Sequence, residues 1–140
     1  MIRYKLYKNN NQKSTMYGKW YARTVTDEML NTAELAEHMA NHNSPYSEGI
    51  IKGVLTDMIK CIKELVLDGK SVKLDDLAIF SCGMRTRGAD TASDFTVAAN
   101  VKSVHLRARA TGRLSYSSIN AAAQIKEQTV YDVNKEEASE

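Results

Sequence analysis

Arginine is the residue type whose placement in this sequence most directly suggests chemistry. Arg85 and Arg87 recur at a spacing of two, and so do His105, Arg107 and Arg109. In an extended chain successive side chains point to opposite faces, so residues two apart share one. Phe80, Cys82 and Met84 take the other parity in the first segment, and Val104, Leu106 and Ala108 take it in the second. If the two segments pair as strands, five polar or basic side chains line one surface, and an apolar set lines the opposite one. Guanidinium groups are planar, permanently charged and forked, which suits phosphate oxygens. The competing reading is that an exposed strand face carries arginine for solubility and to discourage edge pairing.

Other reactive residue types are placed less tellingly. His38 and His42 are four apart on an expected helix, a spacing that suits two metal ligands, but no third ligand is near in sequence. They read as a surface pair. Cys61 and Cys82 read as small core residues, the first beside an apolar helix stripe and the second on a core-facing strand position. Asp75-Asp76 reads as a turn. Nucleophile motifs, glycine-rich phosphate loops and paired carboxylates are missing, so neither enzymatic activity nor a cofactor nor a small-molecule substrate is expected. Residues 1–26 interleave Arg3, Lys5, Lys8, Lys13, Lys19 and Arg23 with Tyr4, Tyr7, Tyr17, Trp20 and Tyr21. Such a mixture can hold single-stranded nucleic acid by stacking. The preferred reading is that the aromatic rings bury against the domain and the lysines only solvate.

The elements that must position these residues are legible from pattern. Residues 2–8 alternate as a strand, 9–14 are polar and turn-like, and 16–25 read as the second strand of a hairpin. Asn31 can cap a helix, with Glu34 reaching back to it, and this helix is expected to end near Asn43. Pro45 and a capping Ser47 open a longer helix, with Tyr46 able to staple onto Ile51. Its apolar residues fall at Ile51, Val54, Leu55, Met58, Ile62, Leu65 and Val66, a broad helical stripe. From Ser47 to Asp68 it would run about 33 Å, and Gly69 is the natural stop. So long a stripe needs more partner surface than the rest of the chain supplies, which favours a dimer. Val72-Lys73-Leu74, the segment from Phe80, and the segment around Val104–Ala108 give three strands. Residues 88–94 are small and polar and suit an exposed loop or arm, and 115–128 read as a last helix.

The chain has 140 residues, 43% hydrophobic and 26% charged, enough for one domain with extensions and too apolar for disorder throughout. It has no apolar run long enough for a membrane span, no signal-peptide core at its start, and too few cysteines for a disulfide scaffold, so a reducing cytoplasm is expected. The net charge of +2 hides strong asymmetry: +6 over residues 1–26, −5 over 27–80, +4 over 81–114 and −3 over 115–140.

The order helix, helix, then Gly69-Lys70-Ser71-Val72-Lys73-Leu74-Asp75-Asp76-Leu77-Ala78-Ile79-Phe80 resembles the bacterial HU/IHF family of histone-like DNA-binding proteins. Phe95-Thr96 through Arg109-Ala110-Thr111-Gly112-Arg113-Leu114 is similar to that family's second arm strand leading into its last helix. Residues 1–26 look like the N-terminal strand extension of a longer HU-like subfamily. The resemblance implies an α+β fold: an intertwined homodimer with a helical base, a β-saddle and β-ribbon arms, plus an N-terminal β-hairpin. It implies three segments, a hairpin extension over 1–26, an HU-like DNA-binding domain over 27–128 and a flexible acidic tail over 129–140. It implies a non-enzymatic, largely sequence-independent protein of the cytoplasmic nucleoid that contacts double-stranded DNA phosphates and minor groove. The expected contact residues are Arg85, Arg87, Lys102, His105, Arg107, Arg109 and Arg113. The sequence departs from the family at two places. Asp76 and Ala78 replace turn glycines, and the arm-tip Arg-Asn-Pro motif is absent, since the only proline is Pro45. Asp90 and Asp94 also add negative charge to the arm. Bending by a proline wedge is therefore expected to be weak or missing. The alternative is an HU-fold structural or protein-interaction module that has lost DNA binding.

Overall fold

Local capping chemistry sets the limits of most elements in the computed structural model, which describes residues 1–128. In chain order these are β1 (Ile2–Lys8), β2 (Trp20–Val25), α1 (Thr32–Ala40), α2 (Glu48–Leu67), β3 (Val72–Leu74), β4 (Ala78–Thr86), α3 (Val97–Asn100), β5 (Val101–Ala110), a 3-10 turn (Gly112–Leu114), α4 (Tyr116–Ala122) and β6 (Ile125–Glu127). They fall into two compact units, Leu30–Asn120 and Met1–Met29 with residues 121–128. The acidic tail expected over 129–140 lies outside the described residues.

In the larger unit α1 opens on a complete capping box. The Asn31 side chain accepts from the backbone N–H groups of Ala33 and Glu34, and Glu34 accepts from the Asn31 N–H at 2.7 Å. Ser47 caps α2 by accepting from the Ile50 N–H. At the far end Gly69 takes φ +78, and Lys70 N–H returns to the Leu65 carbonyl, the left-handed termination that glycine allows. α1 packs on α2, and α2 packs on β3 and β4. Ala36, Ile51 and Val66 are the buried hydrophobic residues among those described.

The sheet of this unit has the antiparallel order β3-β4-β5. Its register sets Phe80 opposite Ala108, Cys82 opposite Leu106 and Met84 opposite Val104 on one face. Between this face and α2 lies an open groove of about 500 Å³, lined by Met58, Ile62 and Val66 with Phe80, Cys82 and Leu106. Cys61 and Cys82 are both exposed rather than core residues. The face carrying Cys82 is apolar as expected, and among the described residues α2 covers it only in part.

Between β4 and β5 the expected arm takes a different form. The paired ribbon ends at Thr86 opposite Val101. The segment from Phe95, expected as the start of the returning strand, instead forms the single turn α3, capped by Thr96, whose hydroxyl accepts from the Ala99 N–H. Asn100 is buried, and its side chain donates to the carbonyls of Arg87 and Gly88 and accepts from the Thr96 N–H. These bonds satisfy backbone groups that would otherwise have continued the ladder, so the connection closes on itself.

The smaller unit is a sheet of order β2-β1-β6. β2 begins at Trp20, not at Met16, because 16–19 belong to a turn: Gly18 has φ +78, its N–H reaches the Asn9 carbonyl, and the Ser14 hydroxyl accepts from the Met16 N–H. The last helix is also shorter than its expected span of 115–128. It ends at Ala122, and β6 runs parallel to β1, secured by Ile2 N–H to the Gln124 carbonyl at 2.7 Å and Gln128 N–H to the Tyr4 carbonyl at 2.9 Å. The free edge of β1 offers ladder bonds that a fraying helix end could not match.

Candidate nucleic-acid interface

The outer face of the β3-β4-β5 sheet carries the arginines. The register places Ser81 opposite Arg107, Gly83 opposite His105, Arg85 opposite Ser103 and Ile79 opposite Arg109. Arg85, His105, Arg107 and Arg109 thus share one face, as alternation demands, and all are exposed. Along β5 the basic side chains recur at about 7 Å, two strand residues apart.

Gly83 has a definite part in this surface. A Cβ built there would meet Arg107 Cδ at 2.5 Å and His105 Nε2 at 3.0 Å. The aliphatic stem of Arg107 lies across the bare backbone of Gly83, and the imidazole sits beside it. A larger residue would push the arginine off the sheet.

Three other expected residues are placed differently. Arg87 follows the end of β4, where its N–H bonds the Asn100 carbonyl at 2.7 Å. Lys102 lies at an irregularity: the register passes from Arg85–Ser103 to Thr86–Val101, so Lys102 has no opposite residue. Arg113 is in the 3-10 turn. Its N–H donates to Asp76 Oδ1 at 3.2 Å, and its Nε lies 3.8 Å from Oδ2, so its charge is partly answered within the chain. No ion pair among the described residues engages Arg85, Arg87, Lys102, Arg107 or Arg109.

Lys73 also falls on this face, although it was not among the expected contact residues. It lies opposite Ile79 and so shares the face of Arg109, with Asp75 at 3.5 Å from its amine. Its alternation with Val72 and Leu74 was the available signal.

Asp76 accounts for one departure from the family's glycine pattern. It takes φ +63, a left-handed conformation that Asp tolerates better than most residues. Gly112 faces it at φ +57, where a Cβ would strike the Asp76 Cα at 2.7 Å.

The His38 and His42 rings lie 4.5 Å apart, and among the described residues no group of three potential ligands could hold a metal. No described helix is long and apolar enough to cross a membrane.

Two helices packed on a three-stranded sheet, with an arginine face turned outward, make this an HU-like fold. The chain belongs to the HU-HIG family, described as an HU domain fused to wHTH, Ig or a glycine-rich motif, whose model matches residues 1–126. Among solved structures it is similar to a protein from Bacteroides vulgatus ATCC 8482 whose description proposes a bacterial DNA-binding role. The TM-score is 0.60 at 14% identity, over 78% of this chain and 44% of that one. This chain therefore spans less than half the length of that protein. No curated protein sequence matches it significantly.

Proposed function

We propose that this protein is a non-enzymatic, largely sequence-independent DNA-binding protein of the bacterial nucleoid that acts as a homodimer. The observation that carries this reading is the face of Arg85, His105, Arg107 and Arg109, exposed and without a carboxylate partner among the described residues. Cations left unanswered among the described residues are available to phosphates, and release of condensed counterions supplies most non-specific affinity. Family membership and fold likeness support the same reading. Arg87, Lys102 and Arg113 would extend the contact, Arg113 least because Asp76 shares it.

The groove between α2 and the sheet supports the dimer. Val104 and Leu106 are exposed there, as are Ile59 and Leu67 on α2, and a second copy offers a matching apolar face. The chain's only proline stands before α2, and the connection between β4 and β5 carries none, so bending by an inserted proline is not part of the mechanism.

One feature favours the other reading, a structural or protein-interaction module. The closed connection at 87–100 holds Asp90 and Asp94, and acidic side chains there would repel a phosphate backbone. Titration of a labelled duplex at two salt concentrations separates the two. The DNA-binding reading expects affinity that falls steeply with salt. Replacing Arg107 and Arg109 by Ala should flatten that dependence, by about 0.9 in log–log slope for each phosphate no longer neutralised. Failure to bind duplex at low salt would establish the module instead.

A further inference from the structure

The smaller unit carries a second cationic surface, and it is built differently. Its register puts Lys5 opposite Arg23, Tyr7 opposite Tyr21 and Arg3 opposite both Val25 and Lys126. Directly paired residues share a face, so Arg3, Lys5, Tyr7, Tyr21, Arg23 and Lys126 lie together on one side of a three-stranded sheet. None of them is acidic. Asp27, beyond the end of β2, pairs with Arg3; no ion pair among the described residues engages Lys5, Arg23 or Lys126. The opposite face mixes Ile2, Tyr4, Leu6, Ala22 and Ile125 with Lys8, Trp20, Thr24 and Glu127.

The two tyrosines stay in solvent. Tyr7 is 42% exposed and Tyr21 37%, where burial against the domain was expected. Their ring centroids are 6.0 Å apart, and the Arg23 guanidinium lies 5.6 Å from the Tyr7 centroid. Adjacent rings set among cations on an open sheet meet two requirements at once. The rings offer flat apolar surface to unpaired bases, and the cations follow the phosphates between them. A duplex hides its bases in the stack and would use only the cations. An acidic peptide would likewise leave the rings without a partner.

From this juxtaposition we propose that the β2-β1-β6 sheet is a separate binding site for single-stranded nucleic acid, with Tyr7 and Tyr21 stacking bases and Lys5, Arg23 and Lys126 contacting the backbone. The site is independent of the arginine face on β4 and β5.

The test is fluorescence anisotropy on the full chain with labelled oligo(dT), oligo(U) and a duplex. The wild type should bind at least one of the two single strands, and whichever is tighter identifies the natural class. Replacing Tyr7 and Tyr21 together by Leu keeps bulk but removes the stacking surface, and should weaken single-strand binding about tenfold or more. Duplex binding should change less than about twofold, since phosphate contacts carry it. Tyr7→Phe with Tyr21→Phe should restore single-strand affinity, because the ring is kept. Arg107→Ala with Arg109→Ala should give the reverse pattern, weakening duplex and sparing single strands, so this proposal and the duplex reading fail separately. The proposal is overturned if neither single strand binds at low salt, if the Leu pair binds as the wild type does, or if poly-glutamate displaces oligo(dT) as well as unlabelled oligo(dT) does.

Discussion

Asp76 shows how much one side chain can organise in this fold. It sits in the turn between β3 and β4 at φ +63, accepts the Arg113 N–H, and faces Gly112 so closely that no Cβ fits there. Asp76→Ala removes the acceptor and leaves a side chain less suited to left-handed backbone, so it should cost about 1–2 kcal/mol in urea denaturation. Asp76→Asn keeps both the acceptor and the backbone tolerance. It loses only an exposed ion pair of little weight, so its stability should lie within about 0.5 kcal/mol of wild type. A loss for Asn as large as that for Ala would mean that charge, not the hydrogen bond, matters at this turn. At the same scale, the sequence revealed most of the arginine face. Alternation grouped Arg85 with Arg87 and His105 with Arg107 and Arg109, because a two-residue period needs no knowledge of partners, but joining the two groups required that the strands pair. Alternation set Lys73 apart from Val72 and Leu74, but only the β3–β4 register puts it on the face of Arg109, and register is a non-local property. The site of Lys102 depends on a strand irregularity that no spacing in the sequence reveals.

Elements were legible where their boundaries are made by local chemistry. Asn31, Glu34, Ser47 and Gly69 each act within four residues of themselves, and the start of α1 and both limits of α2 follow from them; α1 ends at Ala40, short of the expected Asn43. β6 was not legible. Three residues hold too little pattern, and their partner strand β1 lies at the other end of the chain. The closed connection between β4 and β5 was missed for a similar reason, since it depends on Asn100 reaching back to Arg87 and Gly88. Asn100→Ala would leave these two carbonyls and the Thr96 N–H without their side-chain partner. It should cost about 1–3 kcal/mol, counting the groups left unsatisfied. Because the ladder between β4 and β5 is untouched, the change should be local: hydrogen exchange should accelerate through 87–100 while β5 stays protected. Uniform acceleration across the sheet would instead make Asn100 a keystone of the whole unit.

At the scale of the molecule, the larger unit leaves much of its apolar surface uncovered by the described residues. Its α2 is 20 residues long, yet only Ile51 and Val66 on it are buried. The sheet face opposite the arginines exposes Met84, and Val104 and Leu106 where they line the groove. Exposed apolar patches of this kind are characteristic of association surfaces, and pairing two chains here would double the outward arginine face, which is what a long polyanion rewards. Leu106→Glu distinguishes the possibilities sharply because Leu106 is open to solvent in the single chain. If the chain functions alone, a carboxylate there is nearly neutral and changes neither mass nor stability. If two copies meet at this groove, the carboxylate is buried without a partner and weakens association by about 2–4 kcal/mol. The expected result in light scattering is twice the monomer mass for wild type, falling toward the monomer mass for Leu106→Glu at the same concentration. Duplex affinity should fall with it although no arginine has been touched, because each monomer then presents one arginine face instead of two. A wild type of monomer mass that still binds duplex tightly would place the whole function on a single chain and leave the groove for another occupant.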